Sequence, residues 1–244
     1  MAPPPSPITI GILEAGAVAE QLAARHGSFA DACRRFLGRG DEQPAFRVYR
    51  SYLGELPASV SACDGWLITG SRYSAFDDDP WIADLAAFAR AAAEARPVVG
   101  ICFGHQLVAQ AFGGAVERSS RGWGIGVHSY QVGRRRDWMT PALDEIALLA
   151  SHQDQVTRLP DGAELLAGSD FCPYGLFQLG DNIVALQGHP EMTKAFAADL
   201  YAMRRDQFGR AIVDNALDSL AQPTHEDEMA AWLLRFLAAP DRSR

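Results

Sequence analysis

Apolar and polar positions along this chain switch between two periods. Short runs of β-branched and other apolar residues alternate with longer stretches whose apolar residues recur at three- and four-residue spacing. Residues 8–13 read as a first strand, and a helix over 17–26 is broken at Gly27. Ser28 followed by Asp31 resembles a capping box, opening a helix with Phe29, Cys33, Phe36 and Leu37 on its buried face. A turn over 38–44 leads to strands at 45–49 and 64–70. Asp79 and Pro80 read as the N-cap and first residue of a helix that carries Ile82, Leu85, Ala86, Phe88 and Ala89 inward. That helix must stop before Pro97. The run 98–101, apolar throughout, reads as a strand buried on both faces. Leu107, Val108, Ala111 and Phe112 then mark an amphipathic helix closed by Gly113 and Gly114.

In the second half, residues 120–127 cross from loop to strand and 139–145 form a connecting segment. Residues 147–150, 163–167, 172–178 and 183–187 read as strands, the last two as a hairpin around 180–182. Helices are expected near 195–203, 211–220 and 226–237. This βαβ rhythm predicts an α/β fold: a mostly parallel twisted sheet flanked by helices on both faces, with antiparallel additions and a C-terminal helical tail. The 244 residues, 48% of them hydrophobic, suffice for one substantial core. The expected division is a disordered proline-rich tail at 1–7, a main domain at 8–205 and a helical extension at 206–244. Leu233, Leu234, Phe236 and Leu237 of that extension require burial, against the domain or against a partner.

The stretch that organises the chain is 97–106. Cys102 falls on the turn between the strand 98–101 and the helix that follows, as in a nucleophile elbow. There the positive end of the helix dipole favours a thiolate. For a lone cysteine, a small buried residue in a βα turn is the commoner reading. His189 changes the balance, because it also follows a strand (183–187), and strand carboxyl ends are where sites assemble in such sheets. Pro190 ends the ladder there, and Glu191, two residues beyond the histidine, is placed to orient its ring.

Residues 100–106 (Gly-Ile-Cys-Phe-Gly-His-Gln) together with 188–191 (Gly-His-Pro-Glu) resemble the class I, or triad, glutamine amidotransferases. The resemblance spans about 8 to 205. It is closest in type to stand-alone relatives of the GMP synthase glutaminase domain and to γ-glutamyl peptidase-like proteins. It implies a flavodoxin-like fold and a Cys102-His189-Glu191 triad that cleaves glutamine or a γ-glutamyl small molecule through a thioester. The amide of Phe103, the residue after the nucleophile, is a natural oxyanion donor. The resemblance places the second donor at Gly70, which by pattern alone only ends a strand. It also brings Trp123 near the substrate, where the glycine-interleaved segment 120–127 is otherwise a bulged strand packing one large ring. It sets Asp154 against the substrate ammonium, although a turn-stabilising role fits that residue nearly as well. Gln106, by itself an ordinary polar helix residue, matches a position contacting the bound amide.

Charge and cysteine usage narrow the remaining classes. A net charge of −8 argues against broad nucleic-acid or anionic-membrane binding, and 134–136 is the one dense basic run. No apolar run reaches membrane-spanning length, and the first seven residues lack the basic and apolar parts of a secretion signal. Four scattered cysteines without disulfide or zinc spacing point to a reducing cytoplasm, and no metal or cofactor is expected. The sequence holds no G-x-x-x-x-G-K-[ST] motif and no synthetase domain. Three outcomes follow: a subunit that supplies ammonia to a separate synthetase, a free-standing hydrolase of γ-glutamyl compounds, or a binding or regulatory protein that keeps the fold. The complete Cys-His-Glu set argues against the third.

Overall fold

A computed structural model describes residues 7–39 and 43–239. The tail expected at 1–7 lies outside these residues except for Pro7, as do 40–42 of the expected turn and 240–244 of the C-terminal stretch. The first half contains β1 (Thr9–Glu14), α1 (Glu20–His26), α2 (Phe29–Leu37), β2 (Ala45–Arg50), β3 (Gly65–Ile68), α3 (Pro80–Ala93), β4 (Val98–Ile101) and α4 (Phe103–Ala111). Five strands without intervening helices follow: β5 (Ala115–Arg118), β6 (Gly124–Val132), β7 (Glu145–His152), β8 (Asp154–Arg158) and β9 (Ala163–Gly168). The chain ends with β10 (Leu176–Leu179), β11 (Ile183–Leu186), α5 (Lys194–Met203), α6 (Arg205–Phe208), α7 (Arg210–Ser219) and α8 (Glu226–Ala238).

Among the described residues, nine strands form one sheet in the order β2-β1-β3-β4-β11-β10-β9-β6-β7. The first five pair in parallel, which is the flavodoxin-like order, and the rest extend the sheet antiparallel. The period of two decides the layers. Ile10, Ile12, Leu67, Val99, Ile101, Val184 and Leu186 join the cluster under α2 and α8. Leu13, Trp66, Ile68, Val98, Ile183 and Ala185 join the cluster under α3 and α4. Both faces are therefore apolar, as a parallel sheet between helices requires. A third cluster sits under α5 and α7 against Ile125 and Leu149.

Local chemistry explains where the observed elements depart from the pattern. α1 begins at Glu20 rather than 17, because the chain before it is tied to the loop after β3. There Thr69 Oγ1 accepts from Ala15 N at 3.0 Å, and Ser71 Oγ donates to Ala15 O at 2.7 Å. Ser28 and Asp31 form the expected capping box. Asp79 holds the N-cap position of α3 but its side chain makes no cap bond, because Ile82 N donates to the Asp79 carbonyl instead. β10 starts at Leu176 rather than 172. Cys172 N turns to Ser169 Oγ at 3.0 Å, Ser169 N donates to Cys172 O, and Pro173 has no N–H for a ladder. The two-stranded β5–β8 sheet was not foreseen; its short strands become visible only once paired.

The C-terminal α8 is seated in the same core as the sheet. Trp232 and Phe236 are fully buried, and Trp232 Nε1 donates to Pro141 O at 2.9 Å. Trp138 packs edge-on to both aromatic rings. Truncating Trp232 removes a large ring and strands the Pro141 carbonyl. Trp232→Ala should lower unfolding stability by about 3–5 kcal/mol, read from urea denaturation at pH 7.

Candidate active site

Three neighbouring parallel strands each hand one group to the same edge of the sheet. β3 ends before Gly70, β4 before Cys102 and β11 shortly before His189. The turn at Cys102 is sharp because two glycines let α4 settle onto the strands. A Cβ on Gly104 would lie 2.5 Å from Ile68 O, and one on Gly100 would lie 2.5 Å from Gly104 O. Cys102 takes φ 51°, ψ −100°, the one positive φ at a non-glycine among the described residues. Its backbone N donates to Leu186 O at 2.9 Å, which fastens the elbow to β11.

His189 is held from both sides. Its N donates to Leu149 O of β7 at 2.8 Å, and its Nδ1 lies 2.8 Å from Glu191 Oε1. Both side chains are buried, and the second Glu191 oxygen has no hydrogen-bond partner among the described residues. Burial alone would push the imidazole down. The charge on the Cys102 sulfur, that on Glu191 and hydrogen bonds to both outweigh burial and hold the imidazolium well above the ordinary histidine range. Gly70 closes the group: a Cβ there would fall 2.9 Å from His189 Cε1 and 3.6 Å from Cys102 Cβ. The N–H groups of Gly70 and Phe103 make no bond to other described residues. The sulfur, ring and carboxylate expected to meet do meet, beside two free amide donors.

In front of the sulfur lies a polar pocket with about 350 Å³ of open space, within the small-molecule range. Cys102, Gln106, Trp123 and Asp154 all line it. Gln106 spends both amide hydrogens inside the protein, on Asp154 O (2.8 Å) and Gln187 Oε1 (3.0 Å). Asp154 accepts from Ser74 Oγ at 2.5 Å and from Arg118 Nε at 3.3 Å, so its charge is already partly matched. Trp123 packs its ring on Phe208 of α6 at 4.7 Å. Arg72 and Ser74, on the loop after β3, also line the pocket, as do Arg118 and Arg204, which the sequence did not single out. Arg118 faces Asp154 through the β5–β8 register, and Arg204 arrives at the end of α5. Neither carries a local motif that would have flagged it.

Residues 55–201 match the family model for glutamine amidotransferase class-I. The chain belongs to the class I glutamine amidotransferase family. It is 32% identical to gamma-glutamyl peptidase 3 of Arabidopsis thaliana over 64% of this chain and 66% of that protein. It is 28% identical to a glutamine-hydrolyzing GMP synthase of Porphyromonas gingivalis over 72% of this chain and 36% of the synthase. The chain thus spans just under two thirds of the peptidase's length and about a third of the synthase's. A solved glutamine amidotransferase from Methylobacillus flagellatus superposes with a TM-score of 0.72, at 25% identity and 95% coverage of both chains. Among the described residues no cluster of His, Cys, Asp or Glu could hold a metal, and no helix is long and apolar enough to cross a membrane.

Two further histidines behave oppositely to His189. His105 donates from Nε2 to Tyr174 O at 2.8 Å, and burial pushes it down to about 4. Burial, then the nearby His128, pushes His152 down to about 3. Each folded value lies below the unfolded one, so the stability from the neutral rings is complete above about pH 6.5 and declines as pH falls toward these values. Each ring contributes a slope of up to about 1.4 kcal/mol per pH unit. His189 has the opposite sign: its folded value lies above the unfolded one, so it opposes the fall near pH 6.5 and adds little once the unfolded ring is protonated too, below about pH 5.5. Urea midpoints between pH 6.5 and 5 should therefore fall, and His105→Gln, which keeps a donor for Tyr174 O, should remove about one proton from the dependence.

Proposed function

We propose that this protein hydrolyses the γ-amide of glutamine or of a γ-glutamyl compound, with Cys102 as nucleophile, His189 as proton carrier and Glu191 as the group that orients it. The observation that carries the proposal is the strained Cys102 elbow facing a buried, charge-stabilised His189. With the cysteine proton already held on His189, the Cys102 sulfur adds to the γ-carbonyl. The oxyanion that forms takes hydrogen bonds from the amides of Gly70 and Phe103. Collapse breaks the C–N bond while the imidazolium protonates the departing amine. Water then gives a proton to His189 and attacks the thioester, releasing glutamate and restoring the thiol. An imidazolium favoured at neutral pH suits the second step, where an acid is required.

Gln106, Trp123 and Asp154 would line the glutamyl end, with Asp154 facing the α-ammonium and sharing its charge with Arg118. Relatives named γ-glutamyl peptidase and GMP synthase support two fates for the amine: free release, or delivery as ammonia to a separate synthetase. The four buried free cysteines fit the expected reducing cytoplasm.

Cys102→Ala should lower glutamate release from glutamine or γ-glutamyl peptides by roughly 10³-fold or more while leaving the urea midpoint in place. Parental rates in that variant would sink the assignment. Gly70→Ala drives a methyl against His189 and should cost on the order of 10²-fold in rate, since misplacing a catalytic group by about 1 Å has that effect. Labelling of Cys102 by a glutamine-like electrophile, blocked by the true substrate, checks the same site independently of turnover.

A further inference from the structure

His189 lines a second cleft that Cys102 does not. It runs along α1 and α5 and is walled by Leu22, Met192, Phe196, Leu200 and Met203, with about 50 Å³ of open space. The polar pocket in front of Cys102 abuts it, and the two share Ser71, Arg72, Ser151 and Arg204. In the reaction above the acyl part rests on the sulfur and the amine leaves toward His189. The polar pocket is therefore the glutamyl side and the apolar cleft is the amine side. Ammonia has no use for such walls; a substituted amine does. At about 10–15 Å³ per water-sized body, the cleft takes a group of about four non-hydrogen atoms. That is an aliphatic side chain rather than an indole.

The shared rim supplies the charge. Arg72 and Arg204 both border the two clefts, yet neither forms an ion pair with a carboxylate among the described residues. Arg72 bonds only the Tyr73 hydroxyl, at 3.3 Å, and stacks over its ring at 5.2 Å. Arg204 is half-buried, and burial together with the Arg72 charge lowers its pKa. Two like charges at one cleft, in a protein of net charge −8, are unfavourable unless an anion joins them. Guanidinium groups suit a carboxylate because they bind it with two parallel hydrogen bonds. The walls are also fixed: Thr193 caps α5 through Phe196 N at 3.1 Å, and His26 packs edge-on to Phe196 while bonded to Asp199 at 2.6 Å.

We propose that the preferred substrate is a γ-glutamyl dipeptide with an aliphatic second residue, its side chain in the α1–α5 cleft and its carboxylate between Arg72 and Arg204. This rests on the hydrolase reading above. Glutamate release from γ-glutamyl-leucine, γ-glutamyl-glycine, N-isopentyl-glutamine and glutamine tests it with the full chain. N-isopentyl-glutamine keeps the aliphatic group and lacks the carboxylate; γ-glutamyl-glycine does the reverse. kcat/KM for γ-glutamyl-leucine should exceed each of the others by about tenfold or more, the value of one good charged hydrogen bond or a buried isobutyl group. Arg204→Gln and Arg72→Gln should shrink its advantage over N-isopentyl-glutamine to within about threefold. Equal or better turnover of glutamine, or an advantage that survives both arginine changes, overturns the substrate assignment and leaves the hydrolase reading intact. An equal loss on all four substrates would mean that the arginines hold the glutamyl carboxylate, and overturns it as well. Failure of the folded wild-type chain to cleave any of the four removes the hydrolase reading and this assignment with it.

Discussion

The close approach of α4 to the ends of β3 and β4 is the constraint from which the rest of the site follows. Gly104 lies against Ile68 O and Gly100 against Gly104 O, each at a separation that no Cβ tolerates. With the helix seated that near, the chain must reverse within one residue, and Cys102 adopts a positive φ that costs on the order of 1–3 kcal/mol. Burial of Phe103, Leu107 and Val108 on the helix side offsets that cost. The result is a sulfur raised above the sheet edge, with a helix N-terminus behind it and unpaired amides beside it. Gly70 then matters for a second reason: the absence of its side chain is what lets His189 lie against Cys102.

Electrostatics sorts the buried histidines by the company each keeps. His105 and His152 are buried beside carbonyls without a carboxylate, and desolvation leaves them neutral. His189 is equally buried but touches Glu191 and Cys102, and its shift has the opposite sign. One fold thus produces two uncharged rings that pack and hydrogen-bond and one that carries a proton. The same contrast operates at larger scale. The chain is acidic overall, while the mouth of the site gathers Arg72, Arg118 and Arg204 around a single pocket. Long-range attraction for a small anion is then local, and the acidic remainder of the surface does not compete for it.

Much of the frame was legible in the chain because its causes are local. Strand and helix periods, the Ser28–Asp31 box, the glycines around Cys102 and the proline after His189 each act within a few residues. Asp79 shows the limit of such reasoning: its position as N-cap is right, yet a backbone carbonyl took the bond its side chain was expected to accept. The start of β10 shows it again, since Ser169 captured Cys172 N before any ladder could form. The β5–β8 pair escaped notice because strands of four and five residues carry too little pattern to stand apart from loops.

The sequence by itself determined an α/β chain with a thiol and an imidazole each at a strand end and a carboxylate two residues beyond the imidazole, because hydrophobic period and turn chemistry are written in neighbouring residues. Only the tertiary structure decided that β3, β4 and β11 lie side by side, that Arg118 faces Asp154, and that Arg204 joins Arg72 at the rim of two clefts. Those facts depend on strand order and register, which join residues dozens of positions apart through packing that no short window of sequence contains.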